Sequence, residues 1–254
     1  SGEGGWVHSD HHALWINPSN TNHLYLGTDG GVYTSLDKGA TWTFIQGLPV
    51  GQFYHVDHDM GAPYRVFGGL QDNGSWVAPS SGPGGVGNGD WKPIYGGDGF
   101  WVVPDPTDPN IAYAESQGGD VNRIDLKTVK SVGIRPLQTD KEEKLRWNWN
   151  TAIVTGKANP KNLYTGAQYL YHSQDQGRNW TRISPDLTTN DKKKQEQENS
   201  GGLSADNTSA ENHTTIFTIA ESPLDANHIW VGTDDGNLQV TTDGGKTWTN
   251  TSAN

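Results

Sequence analysis

The chain has 254 residues, enough for a sizeable core, and no cysteine, so a disulfide framework and thiol chemistry are excluded. Its formal net charge of −11 disfavours nucleic-acid and anionic-membrane partners, because no basic patch is available to neutralise phosphates. No apolar run approaches the length of a membrane span, and the sequence does not begin with a recognisable secretion signal.

The first predicted unit contains four short strands, rich in β-branched and aromatic residues, at residues 12–16, 23–27, 31–35 and 42–45. The last two strands are joined by a turn of the form Ser/Thr-x-Asp-x-Gly-x-x-Trp, here called the Asp box. In this turn the Asp37 carboxylate can accept backbone N–H groups, Gly39 supplies a positive φ, and Trp42 returns to the apolar side as an anchor.

The Asp box recurs twice further along the chain, at Asp175, Gly177 and Trp180 and again at Asp243, Gly245 and Trp248. Two more units, around residues 64–74 and 111–119, keep the strand pattern without the box. Repeated four-stranded antiparallel units predict an all-β fold, a β-propeller with about five blades. The predicted blades cover approximately residues 8–47, 52–96, 97–137, 147–184 and 213–250, with an insertion at 185–212.

Each of the five predicted units has its own four strands in order, with no blade shared between the two ends of the chain. Five such blades could close into a small ring. Because the chain stops directly after the last strand, we instead expect it to be a segment of a larger propeller whose remaining blades are partners of this one.

Strand parity separates the loops of each predicted blade into two groups. The hairpin between the second and third strands lies at the same end as the segment leading into the first strand, whereas the Asp box lies at the opposite end. We therefore assign the boxes a structural role and expect ligand binding at the other end, here called the polar face. Its candidate ligand-binding residues are His11, Gln52, His55, Gln71, Asp72, Asn73, Asp98, Gln117, Arg146, Gln168, His213, Asp234 and Asp235.

Besides the boxes, six runs are distinctive: Asp10–Trp15, Gly51–His55, Gly69–Trp76, Gly97–Phe100, Ser184–Thr188 and Gly232–Gly236. Together they resemble the bacterial-neuraminidase-type repeat shared by sialidases, xyloglucanases and sortilin-type receptors. Nearly the whole chain is similar to part of the large bacterial sortilin-like proteins that are often labelled glycosyl hydrolases. The resemblance implies a longer, exported protein, in the periplasm or outside the cell, but fold-level analogy does not establish chemistry.

A zinc site is one interpretation of the run His8-Ser9-Asp10-His11-His12, since imidazole and carboxylate ligands at short spacing suit zinc. A strand alternates its side chains, however, so His11 and His12 point to opposite faces. We therefore predict hydrogen-bonding roles for these residues and no metal. Calcium held by Asp234 and Asp235 is a further alternative, although no complete calcium-loop spacing is present.

Glycoside hydrolysis by two carboxylates is the alternative function. The carboxylates able to reach the polar face are Asp10, Asp29, Asp72, Asp98, Glu211 and Asp234. A sialidase mechanism is disfavoured, because sialidases bind their anionic sugar with three arginines and a Tyr–Glu pair. Here Arg123 and Arg146 are the only arginines expected near this face.

Binding without chemistry is the interpretation that we place first, with a glycan or an extracellular peptide on the polar face. Several tryptophans could offer stacking surfaces, namely Trp15, Trp76, Trp101, Trp147 and Trp149. The insertion at 185–212 leads into the last blade and therefore lies on the same face. Because it is polar, we predict that it is mobile in the isolated chain and becomes protected when a ligand or further blades are present.

Overall fold

The structure is a computed structural model that describes residues 7–47, 51–138, 143–205, 207–208, 210 and 212–252. Within these ranges, twenty strands form five four-stranded antiparallel sheets, each built from four strands that follow one another in the chain. From the second sheet to the fifth, the first strands of neighbouring sheets lie beside one another. The predicted all-β, β-propeller fold is confirmed.

Blade 1 contains β1 (His11–Ile16), β2 (Leu24–Thr28), β3 (Gly31–Ser35) and β4 (Thr43–Phe44). Blade 2 contains β5 (Phe53–His58), β6 (Arg65–Leu70), β7 (Gly74–Pro79) and β8 (Lys92–Tyr95). Blade 3 contains β9 (Val102–Pro104), β10 (Ile111–Ser116), β11 (Asp120–Asp125) and β12 (Lys130–Gly133). Blade 4 contains β13 (Ile153–Thr155), β14 (Leu163–Gly166), β15 (Leu170–Ser173) and β16 (Thr181–Arg182). Blade 5 contains β17 (Ile216–Glu221), β18 (Ile229–Thr233), β19 (Leu238–Thr241) and β20 (Thr249–Asn250).

Helical structure in the described residues is limited to three short 3₁₀ helices, at Asn88–Asp90, Lys192–Gln195 and Gln197–Asn199. None of these is long and apolar enough to cross a membrane. The last two lie in the insertion. Leu187, near the start of the insertion, is buried in the core between blades 4 and 5. The polar remainder is held by hydrogen bonds, and Gln195 Nε2 donates to Thr214 Oγ1 at 2.7 Å.

The hydrophobic core lies in the seams between blades. One position of the second strand shows this most clearly, because it is aromatic in all five blades. Phe67, Tyr113 and Tyr164 occupy it in blades 2, 3 and 4 and are exposed by at most 2%. The corresponding residues of the first and last blades, Tyr25 and Trp230, are 37% and 43% exposed. The seams from blade 2 to blade 5 are therefore tightly packed, and the outward face of blade 5 is open.

The three Asp boxes share one hydrogen-bond pattern. In the first, Asp37 Oδ1 accepts from the Thr41 N–H at 2.8 Å and Asp37 Oδ2 accepts from the Thr41 hydroxyl at 2.6 Å. Asp175 and Asp243 are bound in the same way by the residue four positions further on. These hydrogen bonds lower the pKa of each carboxyl to about 2.

The box tryptophans lie immediately before the fourth strands and are half-buried. Trp180 Nε1 donates to the Ile134 carbonyl of blade 3 at 2.6 Å, and Trp248 Nε1 donates to the Ile183 carbonyl of blade 4 at 3.0 Å. Each therefore fastens its blade to the preceding one. The Asp boxes join third to fourth strands, so they lie at the end of the blades opposite the polar face.

Candidate functional site

On the polar face, blades 3, 4 and 5 share a hydrogen bond that we call the loop clamp. A side-chain oxygen from the hairpin between the second and third strands accepts a backbone N–H from the segment that leads into the first strand. In blade 3 the Asp98 N–H donates to Gln117 Oε1 at 3.1 Å. In blade 4 the Arg146 N–H donates to Gln168 Oε1 at 2.8 Å, and in blade 5 the Thr215 N–H donates to Asp234 Oδ1 at 2.9 Å. These three predicted ligand-binding side chains, Gln117, Gln168 and Asp234, therefore bind the protein's own backbone.

The acidic pair on blade 5 is engaged further. Asp234 Oδ2 accepts from the Thr215 hydroxyl at 2.7 Å. Asp235 Oδ2 accepts from both the backbone N–H and the hydroxyl of Thr189, each at 2.7 Å, so it fastens the start of the insertion. Both carboxylates thus have structural partners, and no group of three or more His, Asp or Glu side chains in the described residues is arranged to hold a metal ion.

Arg146 is buried and connects blade 4 to the insertion. Its Nε donates to the Thr214 carbonyl at 3.1 Å, and its terminal nitrogens pair with Glu143 at 3.0 Å and Asp186 at 2.7 Å. Hydrogen bonds from the Tyr169 hydroxyl and Arg146 lower the pKa of Glu143. The Arg146 guanidinium is therefore committed to internal ion pairs.

Blades 1, 2 and 3 differ, because their polar face brings three carboxylates together. We call Asp29, Asp72 and Asp98 the acidic cluster. The Asp72 N–H donates to Asp98 Oδ1 at 2.7 Å. Partial burial, then the charge of Asp98 and hydrogen bonding with Asp29, raise the pKa of Asp72 to about 6. Asp72 therefore holds its proton to a higher pH than an ordinary aspartate does.

Tyr54 borders the acidic cluster. Its ring packs on Phe100 with centroids 4.5 Å apart. Burial, together with the charges of Asp98 and Asp72, raises its pKa. Tyr54 is also 38% exposed, so it presents an aromatic surface beside the carboxylates.

The predicted histidine run contributes hydrogen bonds to this region. His12 Nε2 lies 2.5 Å from Asp29 Oδ1, and His8 Nε2 lies 3.2 Å from the Asp72 carbonyl oxygen. His11 is exposed on β1 opposite Thr28. The His8 contact joins blade 1 to blade 2 at the acidic cluster, whereas the His12 contact lies within blade 1.

The remaining predicted residues make individual hydrogen bonds. Asp10 is exposed and accepts from the Ser9 hydroxyl at 2.8 Å. Gln52 accepts the Gln71 N–H through its backbone carbonyl at 3.1 Å, and Asn73 Nδ2 donates to the Asp29 carbonyl at 3.2 Å. The Glu211 candidate lies outside the described residues.

Where first strands converge, polar side chains are enclosed. His55 stacks on Trp101 with ring centroids 3.8 Å apart, and its Nε2 lies 3.1 Å from Asn150 Nδ2. Burial lowers the pKa of His55. Glu115, fully buried nearby, has a pKa raised well above the ordinary value by burial. These residues form the inner wall of the propeller rather than an open ligand surface.

Two cavities lie between elements of the described chain. One of about 320 Å³ is at the Asp-box end, where Asp105 accepts hydrogen bonds from Thr107 and Gln176. The other, of about 280 Å³, is on the polar face between the segment leading into blade 4 and the insertion. Because its lining includes Arg146 and His213, only this second cavity contains residues predicted to bind a ligand.

The candidate ligand-binding residues did not include Tyr54, Asn150 or Glu115. A β-bulge between Phe53 and His55 leaves Tyr54 outside the regular alternation, so strand parity did not place it. Asn150 directly follows Trp149 in the segment that leads into blade 4. That position on the polar face could have identified it as a candidate. Glu115 lies inside β10, where only the packing of blade 4 shows that a carboxyl is buried.

The five predicted tryptophans divide by burial. Trp147 is buried, whereas Trp76, Trp101 and Trp149 are half-buried. Trp15 is 50% exposed, but it pairs with Tyr25 toward the Asp-box end of blade 1. No tryptophan of this set is therefore an exposed platform at the acidic cluster.

The chain matches no protein-family model and no curated protein sequence. Among solved structures it is similar to the GH74 enzyme of Niastella koreensis, with a TM-score of 0.51 and 19% identity over 96% of this chain and 38% of that one. It is also similar to an ancestral GH74 enzyme, with a TM-score of 0.51 and 16% identity over 99% of this chain and 32% of that one. The chain therefore spans about a third of the length of these structures and shares their β-propeller fold.

Proposed function

We propose that the polar face binds a glycan, with the acidic cluster and Tyr54 forming its principal contact surface. The observation that carries the proposal is the convergence of three carboxylates beside an exposed aromatic ring at the junction of blades 1, 2 and 3. Carboxylates can accept hydrogen bonds from sugar hydroxyls, and a tyrosine ring offers a flat apolar surface for a sugar face. The GH74 fold supports a carbohydrate ligand by analogy alone.

Separation of the carboxylates favours binding over hydrolysis. Retaining and inverting glycosidases hold their two carboxyl groups about 5 Å or about 6.5–9.5 Å apart, so that the scissile bond fits between them. Asp72 is instead in hydrogen-bonding contact with its two acidic neighbours. Asp72 therefore lies too close to either neighbour to flank a glycosidic bond with it.

Glycoside hydrolysis is the second candidate function, because a carboxyl with a pKa near 6 suits a general acid. In that case Asp72 would protonate the leaving oxygen, and its partner carboxylate would come from across the propeller. The substrate would be a neutral polysaccharide.

We also propose that the chain is part of a larger, exported propeller of the sortilin-like Asp-box type. Trp180 and Trp248 each donate to the carbonyl that follows the fourth strand of the preceding blade. In blade 1 the equivalent of these donor tryptophans is Trp42. After the fourth strand of blade 5, the equivalent of the acceptor carbonyl belongs to Thr251, and Trp230 is exposed on the same blade. Further blades would supply the missing halves of both seams.

The function is tested by a glycan array and a reducing-sugar assay on the intact parent protein and on this chain. Binding of a glycan without release of reducing ends, lost in Asp72→Ala, supports the primary proposal. Release of reducing ends that Asp72→Asn abolishes would favour the enzyme. Absence of any glycan binding would contradict both.

A further inference from the structure

The cavity on the polar face is a small chamber with polar walls. Residues 143–146, which lead into blade 4, form one wall, and the two short helices of the insertion form another with Lys192, Gln195 and Gln197. Asn212 and His213, which lead into blade 5, complete the lining. At about 280 Å³ it is near the lower end of ordinary ligand pockets, which begin at about 300 Å³, and suits a single sugar unit.

The walls are held in place by hydrogen bonds that leave some groups available. Gln197 Nε2 donates to Asn212 Oδ1 at 2.5 Å, and Asn212 Nδ2 donates to the Trp147 carbonyl at 2.8 Å. His213 Nδ1 is buried and, within the described chain, has no hydrogen-bond partner. A buried ring nitrogen without a partner loses its hydration without compensation, so a rotation of the imidazole that brought Nδ1 to a ligand hydroxyl or carboxylate would recover a hydrogen bond.

Charge selects the class of ligand. The lining carries Lys144, Arg146 and Lys192 against the single carboxylate of Glu143. Arg146 is already paired with Glu143 and Asp186, and the Lys192 ammonium lies 4.0 Å from Glu143. With Asp186 counted, the three cations exceed the two carboxylates by one charge, in a chain whose net charge is −11. A carboxylate on the ligand would be attracted here and repelled by most of the remaining surface.

We propose that this cavity binds a carboxylate-bearing sugar unit, a uronic acid residue of an acidic glycan, with its carboxylate toward Lys144 and Lys192 and a ring hydroxyl toward His213. The inference rests on the proposed glycan-binding function and names the ligand class of a second subsite on the same face. The acidic cluster binds the hydroxyl-rich remainder of the same chain. The two subsites thus divide an acidic glycan into a charged and an uncharged portion.

The probes are a galacturonic acid oligosaccharide and a neutral galactose oligosaccharide of equal length, titrated calorimetrically into the full chain. We expect tenfold or greater preference for the uronate at low salt, weakening as salt is added. Lys192→Gln and His213→Gln should each reduce uronate affinity by about fivefold or more, a loss of about 1 kcal/mol at that factor. Lys193→Gln, on the same short helix but outside the lining, is the matched control and should leave the affinity unchanged.

Two results separate this inference from the general function. If the neutral oligosaccharide binds as tightly as the uronate, or if Lys192→Gln equals Lys193→Gln, the uronate site is disproved while glycan binding stands. If neither oligosaccharide binds and the glycan array is blank, glycan binding itself fails. Circular dichroism of each variant establishes that a lost affinity does not come from unfolding.

Discussion

A Cβ atom placed on Gly99 would lie only 2.9 Å from the Cα atom of Gly69, so blades 2 and 3 meet backbone to backbone. The contact is reinforced by the Gly99 N–H, which donates to the Leu70 carbonyl at 3.0 Å. Asp72 follows Gly69 by three residues, and Asp98 directly precedes Gly99. The acidic cluster therefore exists because two residues without side chains allow the blades this approach.

Gly69→Ala is expected to destabilise the fold and to separate the acidic cluster. A Cβ at Gly69 would overlap the Gly99 backbone, which cannot move aside without opening the seam. Overpacking of this kind costs about 1–3 kcal/mol. Urea unfolding would measure the loss, with Gly96→Ala as the control because a Cβ there meets nothing within 4 Å. Equal stabilities of the two variants would contradict the close approach.

Asp72→Asn is expected to stabilise the protein at pH 7.5 and to have little effect at pH 4. The folded-state pKa of Asp72 is raised to about 6, so the folded protein holds this proton more tightly than the unfolded chain does. Stability from this group is present at low pH and is lost as the pH rises through about 6. After allowance for solvent screening, the gain is about 1 kcal/mol. Asn tolerates the positive φ of 57° at this position.

Thermal melting of wild type and Asp72→Asn at the two pH values measures this difference. A variant that is no more stable than wild type at pH 7.5 would show that the carboxylates do not repel one another.

The Asp boxes should show the opposite pH dependence. Their carboxyl pKa values are lowered to about 2, so the stabilisation is present above the unfolded value near 4 and is lost as the pH falls toward 2. Asp175→Ala should lower the melting temperature at pH 7 and reduce the acid sensitivity, with ligand affinity unchanged in the folded protein. A box variant of full stability with lost binding would reverse the assignment of the two faces.

The aromatic position in the second strand gives a matched pair of substitutions. Phe67→Ala removes a fully buried ring and should cost about 3–5 kcal/mol. Trp230→Ala removes a ring that is 43% exposed and should cost far less in the isolated chain. Urea unfolding distinguishes them, and a comparable loss in both would mean that the outer face of blade 5 is covered in solution.

The insertion is expected to exchange its amide hydrogens quickly in the isolated chain. Beyond the buried Leu187, its contacts with the blades are hydrogen bonds such as those from Thr189 to Asp235 and from Gln195 to Thr214. Ligand binding in the adjacent cavity should slow exchange between Asp191 and Gly201. Hydrogen exchange with and without the uronate probe tests this, and unchanged rates at saturation would refute it.

Sequence reasoning went furthest where a repeat and a turn motif fixed local geometry. The first strand was predicted at 12–16 and lies at His11–Ile16. The agreement is close because Asn17-Pro18 and the Asp box clearly mark where strands end. Parity then identified the polar face, but not which of its side chains bind the backbone. Gln168 and Asp234 have the composition expected of ligand contacts and nevertheless form loop clamps.

The acidic cluster could not be derived from the sequence in the same way. Its members belong to different blades, and their separation depends on how tightly two seams close. Tyr54 reaches the cluster through a bulge, which shifts one residue out of the strand's alternation. Such properties arise from packing between repeats, whereas sequence periodicity describes each repeat alone.

The loop clamp has a consequence for how this scaffold can change over evolutionary time. Each clamp joins two segments of one blade, but the hairpins of blades 3 and 4 also bond to the next blade. The Gly118 N–H donates to the Trp149 carbonyl at 3.1 Å, and the Ile216 N–H donates to the Ala167 carbonyl at 2.7 Å. A mutation that changes only a hairpin side chain can therefore alter the chemistry of one blade, whereas a mutation that moves the hairpin backbone also shifts the next blade. New binding preferences can arise first from side-chain exchanges on a single hairpin.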